Sequence, residues 1–222
     1  MRYLLYCIVR RATNEPIPQP GITVVTAHGL EAVVARVGET SWAPTVSSVV
    51  AFEKVVETIY ARQPIIPLRY GCLMESEITI LRLLEDHHGE YEALLDRLGD
   101  MTEMGIRVLC PARAMLFPRS SLSPGAAYLA SLRKRYSCED NLSPEEAELA
   151  DRFGALLSGC YTEQRREIST ADQGRLLSLY FLTPKTAVEQ FRNQARLICP
   201  PAGAKLLFSG PWPPYNFAAS AE

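Results

Sequence analysis

Residues 3–9 (YLLYCIV) form an unbroken apolar run, rich in strand-forming side chains and without the alternation of a strand wetted on one face. Such a run predicts a strand covered on both sides, and hence a sheet carrying helices. The run is short for a secretory hydrophobic region, leads straight into Arg10-Arg11 and lacks a small-residue cleavage site. It reads as part of the fold. No stretch of the sequence approaches the roughly 18–20 apolar residues of a membrane-spanning helix.

The neighbouring segments fill out this sheet. Residues 22–27 and 30–36 read as strands joined at His28-Gly29, a hairpin signal. Over 46–62 the apolar positions Val49, Phe52, Val56 and Ile59 recur at three and four, with Glu53, Lys54, Glu57 and Arg62 mostly opposite, which predicts an amphipathic helix. Pro64 ends it, and residues 65–68 form a short extended segment that Pro64 and Pro67 make an edge strand or a rigid connector, not a central strand. One continuous helix is predicted over 75–98; at the helical rise per residue it would be about 35 Å long.

Gly99-Asp100 interrupts the pattern, so the chain divides into an N-terminal α+β domain, 1–100, and a C-terminal domain, 101–222. In the second, strands are expected over 105–110, 176–182 and 205–208. Ser123-Pro124, Ser143-Pro144 and Thr183-Pro184 each offer a hydroxyl cap followed by proline at the first helical position. Ser143 with Glu146 also makes a capping box. The resulting β-α-β-α-β order is close to a ferredoxin-like, split βαβ layout with one strand unaccounted for, extra helices as an insertion and a Pro/aromatic tail. The clusters 163–167 (EQRRE) and Arg133-Lys134-Arg135 read as solvated helix faces.

The chemistry-bearing residues are sparse. The chain of 222 residues carries 23 basic against 25 acidic side chains, a net charge of -2, so neither nucleic acid nor a lipid membrane is expected as a partner. The six cysteines include no C-x-x-C pair, and Cys7 and Cys110 lie in apolar company, which reads as buried thiols in a reducing compartment. Phosphate-binding and nucleophile-elbow motifs are absent from the sequence. His87 and His88, with Glu92 one turn beyond, sit in a run that reads as a solvated helix face and not as a metal site. His28 reads as a turn residue. No catalytic, cofactor-binding or metal-binding residue is assigned, and no cofactor is expected.

Two segments stand apart. In residues 64–71 (PIIPLRYG), Arg69 is set between leucine and tyrosine and is expected to fold back onto a carboxylate or carbonyls. The end of the chain, 206–217 (LLFSGPWPPYNF), joins three prolines to Trp212, Tyr215 and Phe217. Prolines hold the backbone extended and the rings offer large apolar area, so this terminus is expected to be tied down over its own domain, or else to present an aromatic lip to another protein. A buried indole would make Trp212→Ala cost about 3–5 kcal/mol. Arg69, Trp212, Tyr215 and Phe217 are the candidate partner contacts.

These two segments, in this order and separation, resemble the gas vesicle protein F/L family (GvpF/GvpL) of accessory proteins. The residues 209–217 (SGPWPPYNF) carry the most distinctive likeness. Pro67-Leu68-Arg69-Tyr70-Gly71, the opening strand and Ala127-Tyr128-Leu129 support it, and short loops favour the F branch. The resemblance implies a non-enzymatic accessory or minor structural protein of the gas vesicle. Such a protein would bind the hydrophobic shell protein, and other accessory proteins with it, and assist nucleation or assembly. It would be cytoplasmic before assembly and located at the vesicle afterwards. A shell subunit with an apolar face would aggregate unless that face or its open strand edges were masked. The competing expectation is a ferredoxin-like small-ligand-binding regulator or enzyme, for which a pocket joining Arg69, His87 or His88 and a carboxylate would speak.

Overall fold

The computed structural model describes residues 2–11, 20–38, 44–111, 142–171, 174–199 and 203–218. The helix start at Ser123, the Ala127-Tyr128-Leu129 match and the cluster at Arg133 lie outside these. The chain divides into two compact units, Met1–Glu103 with Trp212–Glu222, and Met104–Pro211. The described tail residues 212–218 thus group with the first unit, whereas the sequence reading draws them with the second.

In the first unit, β1 (Arg2–Arg10) is the central strand. It pairs antiparallel with β3 (Leu30–Val37) on one side and with two short strands, β4 (Ile66–Pro67) and β5 (Leu73–Met74), on the other. β2 (Ile22–Ala27) pairs antiparallel with β3 through the tight His28-Gly29 turn. Both turn residues have positive φ, 50° at His28 and 84° at Gly29, the backbone of a two-residue hairpin whose twist matches its strands. Leu4 to Val9 are all buried, as an unbroken apolar run demands. The register against β3 shifts between Leu5 and Cys7, so that Tyr6 and Cys7 both face the core formed with α1.

The helix α1 (Val46–Tyr60) is capped by Thr45, which forms a capping box with Ser48, and buries Phe52, Val55, Val56 and Ile59. Phe52 stacks on Tyr6 at 4.7 Å between ring centres and meets the edge of Tyr70 at 5.4 Å. The long helix expected over 75–98 is in fact two, α2 (Glu77–Asp86) and α3 (His88–Leu98), broken at His87. Charge explains the break. Glu85 and Asp86 end α2, where the helix dipole disfavours anions, whereas Glu90 begins α3, where it favours them, and Gly89 weakens a continuous helix.

The second sheet consists of β6 (Met101–Pro111), β7 (Glu163–Ala171), β8 (Gly174–Pro184) and β9 (Lys205–Trp212) in the order β7-β8-β6-β9, all in the second unit except Met101–Glu103 at the start of β6 and Trp212 at the end of β9. The cluster 163–167, expected to be helical, is the start of β7, paired antiparallel with β8 from Glu163↔Leu182 to Ala171↔Gly174. Alternate β8 residues Leu177, Leu179 and Phe181 enter the core, and β8 pulls its charged neighbour into the sheet. Helices α4 (Pro144–Leu156) and α5 (Val188–Ala195) pack Phe153 and Phe191 into the same core. Ser143 caps α4 with Glu146 in the expected capping box. Thr183 does not cap a helix. It is buried within β8, and a short 3-10 turn, Lys185–Ala187, precedes α5 with no side-chain cap.

Candidate functional site

The end of the chain is held to the first unit by polar groups from several of its elements. The Thr102 hydroxyl donates to the carbonyl of Trp212 at 2.9 Å. Pro213 and Pro214 are buried, and the four-residue helix α6 (Tyr215–Ala218) follows. The Tyr215 phenol donates to Glu53 of α1 at 2.8 Å. Burial and the adjacent Glu53 carboxylate hold this phenol well above its ordinary pKa.

Asn216 is the centre of the arrangement. Its backbone N–H and side-chain nitrogen donate to the two carboxylate oxygens of Glu103, at 2.8 and 2.6 Å, while its side-chain oxygen accepts from Arg69 at 2.9 Å. Glu103 is buried, so a partner on each oxygen offsets the desolvation of its charge. Arg97, on α3, donates to the carbonyl of Phe217 at 2.7 Å. The Phe217 ring is fully buried.

The four candidate partner contacts therefore fall into different environments. Phe217 is core, Tyr215 is half-buried and bonded to Glu53, and Arg69 folds back onto a carbonyl oxygen, that of the Asn216 side-chain amide. Trp212 is 45% exposed, so its indole is not the buried ring of the tail; the enclosed ring is that of Phe217. The residues that complete the cluster, Glu53, Arg97, Thr102, Glu103 and Asn216, escape the sequence reading. Glu103 was the available signal: a carboxylate inside a strand-like run between Met101 and Ile106 must find a partner if it is buried.

The histidines lie elsewhere in this unit. His88 bonds the carbonyl of His28 at 2.9 Å, His28 faces Glu85 at 3.8 Å, and His87 meets Glu90 at 3.1 Å. Glu92, the expected fourth-residue neighbour of His88, is engaged with Arg10 at 2.6 Å. Arg69 bonds Asn216, whereas His87 bonds Glu90 and His88 the carbonyl of His28. Among the described residues no group of three or more His, Cys, Asp or Glu side chains is placed to hold a metal ion. The described cysteines Cys7, Cys72, Cys110, Cys160 and Cys199 are free thiols. Among the described residues no helix is long and apolar enough to cross a membrane.

Large apolar side chains also lie exposed. They include Val46 and Val50, one turn apart on α1, Ile78 on α2, Val24 on β2, and Leu207 and Phe208 on β9.

Fold and site together define a two-sheet α+β protein whose aromatic C-terminus is bonded back onto its N-terminal unit. The model of the family described as gas vesicle synthesis protein GvpL/GvpF matches residues 2–219, and the chain belongs to that family. Gas vesicle protein L of Streptomyces sp. (strain CB03234) is 25% identical over 201 residues, covering 85% of this chain and 74% of that protein. The crystal structure of the gas vesicle protein GvpF from Anabaena sp. PCC7120 matches with a TM-score of 0.68 at 16% identity, over 100% of this chain and 97% of that one. That of GvpF from Microcystis aeruginosa gives 0.68 at 14% identity, over 99% of both. These two likenesses establish the α+β fold, and the family establishes a gas-vesicle-related protein.

Proposed function

We propose that this protein is a non-enzymatic assembly factor of the gas vesicle that binds the hydrophobic shell protein and keeps it from aggregating before and during vesicle nucleation. Family membership over residues 2–219 is the observation that carries the reading. The geometry supports it in two ways. Arg69, Glu53, Glu103, Arg97 and Asn216 are engaged with one another and with the tail's own side chains and carbonyls. Exposed apolar side chains such as Val46, Val50 and Ile78 offer contacts to a partner with an apolar face.

In this reading Trp212 is the member of the aromatic tail available to a partner, with Phe217, Tyr215 and Arg69 positioning it. The protein would be cytoplasmic before assembly and at the vesicle afterwards, alongside other accessory proteins. The order β6-α4-β7-β8-α5-β9 and the strand order β7-β8-β6-β9 support a ferredoxin-like second domain, with β7 as the strand that the sequence leaves unassigned.

The test is deletion of the gene in a vesicle-producing cell, followed by electron microscopy and complementation. Loss or malformation of vesicles, restored by the wild-type chain, is expected. Normal vesicles in the deletion strain would refute the reading, and turnover of a small molecule by the purified chain would refute its non-enzymatic part.

A further inference from the structure

The tail docks on the first unit as a self-contained peptide. Residues 213–218 make their own turn: the Tyr215 and Phe217 N–H groups donate to the carbonyls of Pro213 and Pro214, at 2.8 and 3.1 Å. Among the described residues no strand pairs with them. Side chains hold them instead, Glu53 at the Tyr215 phenol, Glu103 and Arg69 at Asn216, and Arg97 at the Phe217 carbonyl. Pro213, Pro214 and Phe217 form the buried apolar part.

Every one of these partners lies in Met1–Glu103, whereas the chain reaches the tail only after running through the whole of the second unit, Met104–Pro211. Socket and occupant are therefore separate in sequence, Glu103 and Asn216 being 113 positions apart. The same bonds form whether the tail comes from the same molecule or from another. Two features suit it to exchange. Pro213 and Pro214 restrict the released segment, so less freedom is lost when it docks again. Gly210, at φ 101°, lies just ahead of it, and a glycine there leaves other backbone directions open to the residues that follow.

We propose that the tail socket is a peptide-binding site that takes the C-terminal segment of a second copy of this chain, so that two copies join by exchanging tails. The socket's chemistry defines the ligand. It is a proline-rich segment that brings a phenol to Glu53, two N–H donors to Glu103, a carboxamide oxygen to Arg69 and a phenyl ring to a buried site. The closed monomer and the exchanged pair make the same docking contacts, so concentration sets the balance. Within one molecule the tether gives the tail a fixed effective concentration, and exchange takes over as the concentration of copies approaches it.

The test uses the full chain. Isotopically light and heavy wild type are mixed at rising concentration, loosened in mild denaturant, returned to buffer and read by native mass spectrometry. Mixed dimers are expected, suppressed at least about tenfold by an excess of a synthetic peptide of residues 209–218 (SGPWPPYNFA). Absence of mixed dimers at every concentration would overturn the proposal, and so would dimers that the peptide leaves undiminished. Two variants locate the joint, Phe217→Ala in the tail and Glu103→Ala in the socket. Each alone should dimerise at least about tenfold less than wild type, whereas their mixture should form a one-to-one pair, because the intact tail of one meets the intact socket of the other. Phe217→Ala dimers as abundant as those of wild type, or folded variants that form no mixed pair, would contradict the exchange. The peptide competition uses wild type alone and decides the matter even where a variant does not fold.

Discussion

Glu103 accepts hydrogen bonds on both carboxylate oxygens from a single residue, Asn216, at 2.6 and 2.8 Å across more than a hundred residues of sequence. That position requires a donor, which a carboxylate is not. Asn216→Asp would set a second carboxylate against a buried one and is expected to cost about 3 kcal/mol at neutral pH. Acidification protonates one member of the pair and should narrow the gap to wild type. Chemical unfolding at pH 4 and pH 7 checks this; an equal deficit at both would mean that the two side chains do not face each other.

Phe217→Ala should destabilise the protein by about 3–5 kcal/mol, since it empties a fully enclosed site. Trp212→Ala, at a residue 45% exposed, should cost distinctly less while weakening partner capture. Denaturant midpoints of the two variants, compared at constant slope, give the order. Trp212→Ala as the larger loss would reverse the assignment of anchor and free ring.

Alkali should loosen the first unit. Burial raises the Cys7 thiol, burial and Glu53 raise the Tyr215 phenol, and burial pushes the Tyr91 phenol up to about 12. Groups whose folded pKa lies above the unfolded value hold more protons when folded. Their contribution is intact below the unfolded values, about 9 for the thiol and about 10 for a phenol, and is lost as pH rises through the folded ones. Melting temperature should therefore fall from about pH 9 towards 12, and Tyr215→Phe should flatten the fall. A flat profile for the wild type would contradict this.

Much of the framework was legible because it is written in local terms. The apolar run at 3–9, the His28-Gly29 turn, the phased helix over 46–60 and the Ser143/Glu146 capping box all depend on near neighbours. The misreadings share the opposite cause. Residues 163–167 look like a solvated helix until β8 supplies a strand to pair with, and Thr183 looks like a cap until the sheet buries it. The site was half-legible. Its proline and aromatic residues mark the tail, but what holds the tail is Glu53, Arg97, Thr102 and Glu103, distant in sequence from Asn216 and unremarkable in any local pattern.

Glu146 serves two elements at once. It closes the cap by accepting from the Ser143 backbone at 2.8 Å and grips Arg175 of β8 at 2.6 and 2.9 Å while itself buried. Glu146→Ala is expected to cost about 2 kcal/mol, combining a lost cap with a broken, partly buried ion pair. Glu146→Gln, which keeps an acceptor for the cap, should cost less. A double-mutant cycle with Arg175→Ala isolates the pair, and a coupling near zero would refute the grip.

The claim on which the account rests is that this chain works by covering apolar surface of the shell protein, and sedimentation measures that directly. Purified shell protein is diluted from denaturant into buffer containing increasing amounts of this chain, and the soluble fraction is read after centrifugation. Soluble shell protein rising with the chain and saturating at a fixed ratio is the predicted result. A soluble fraction no greater than with an equal mass of an unrelated protein would contradict it.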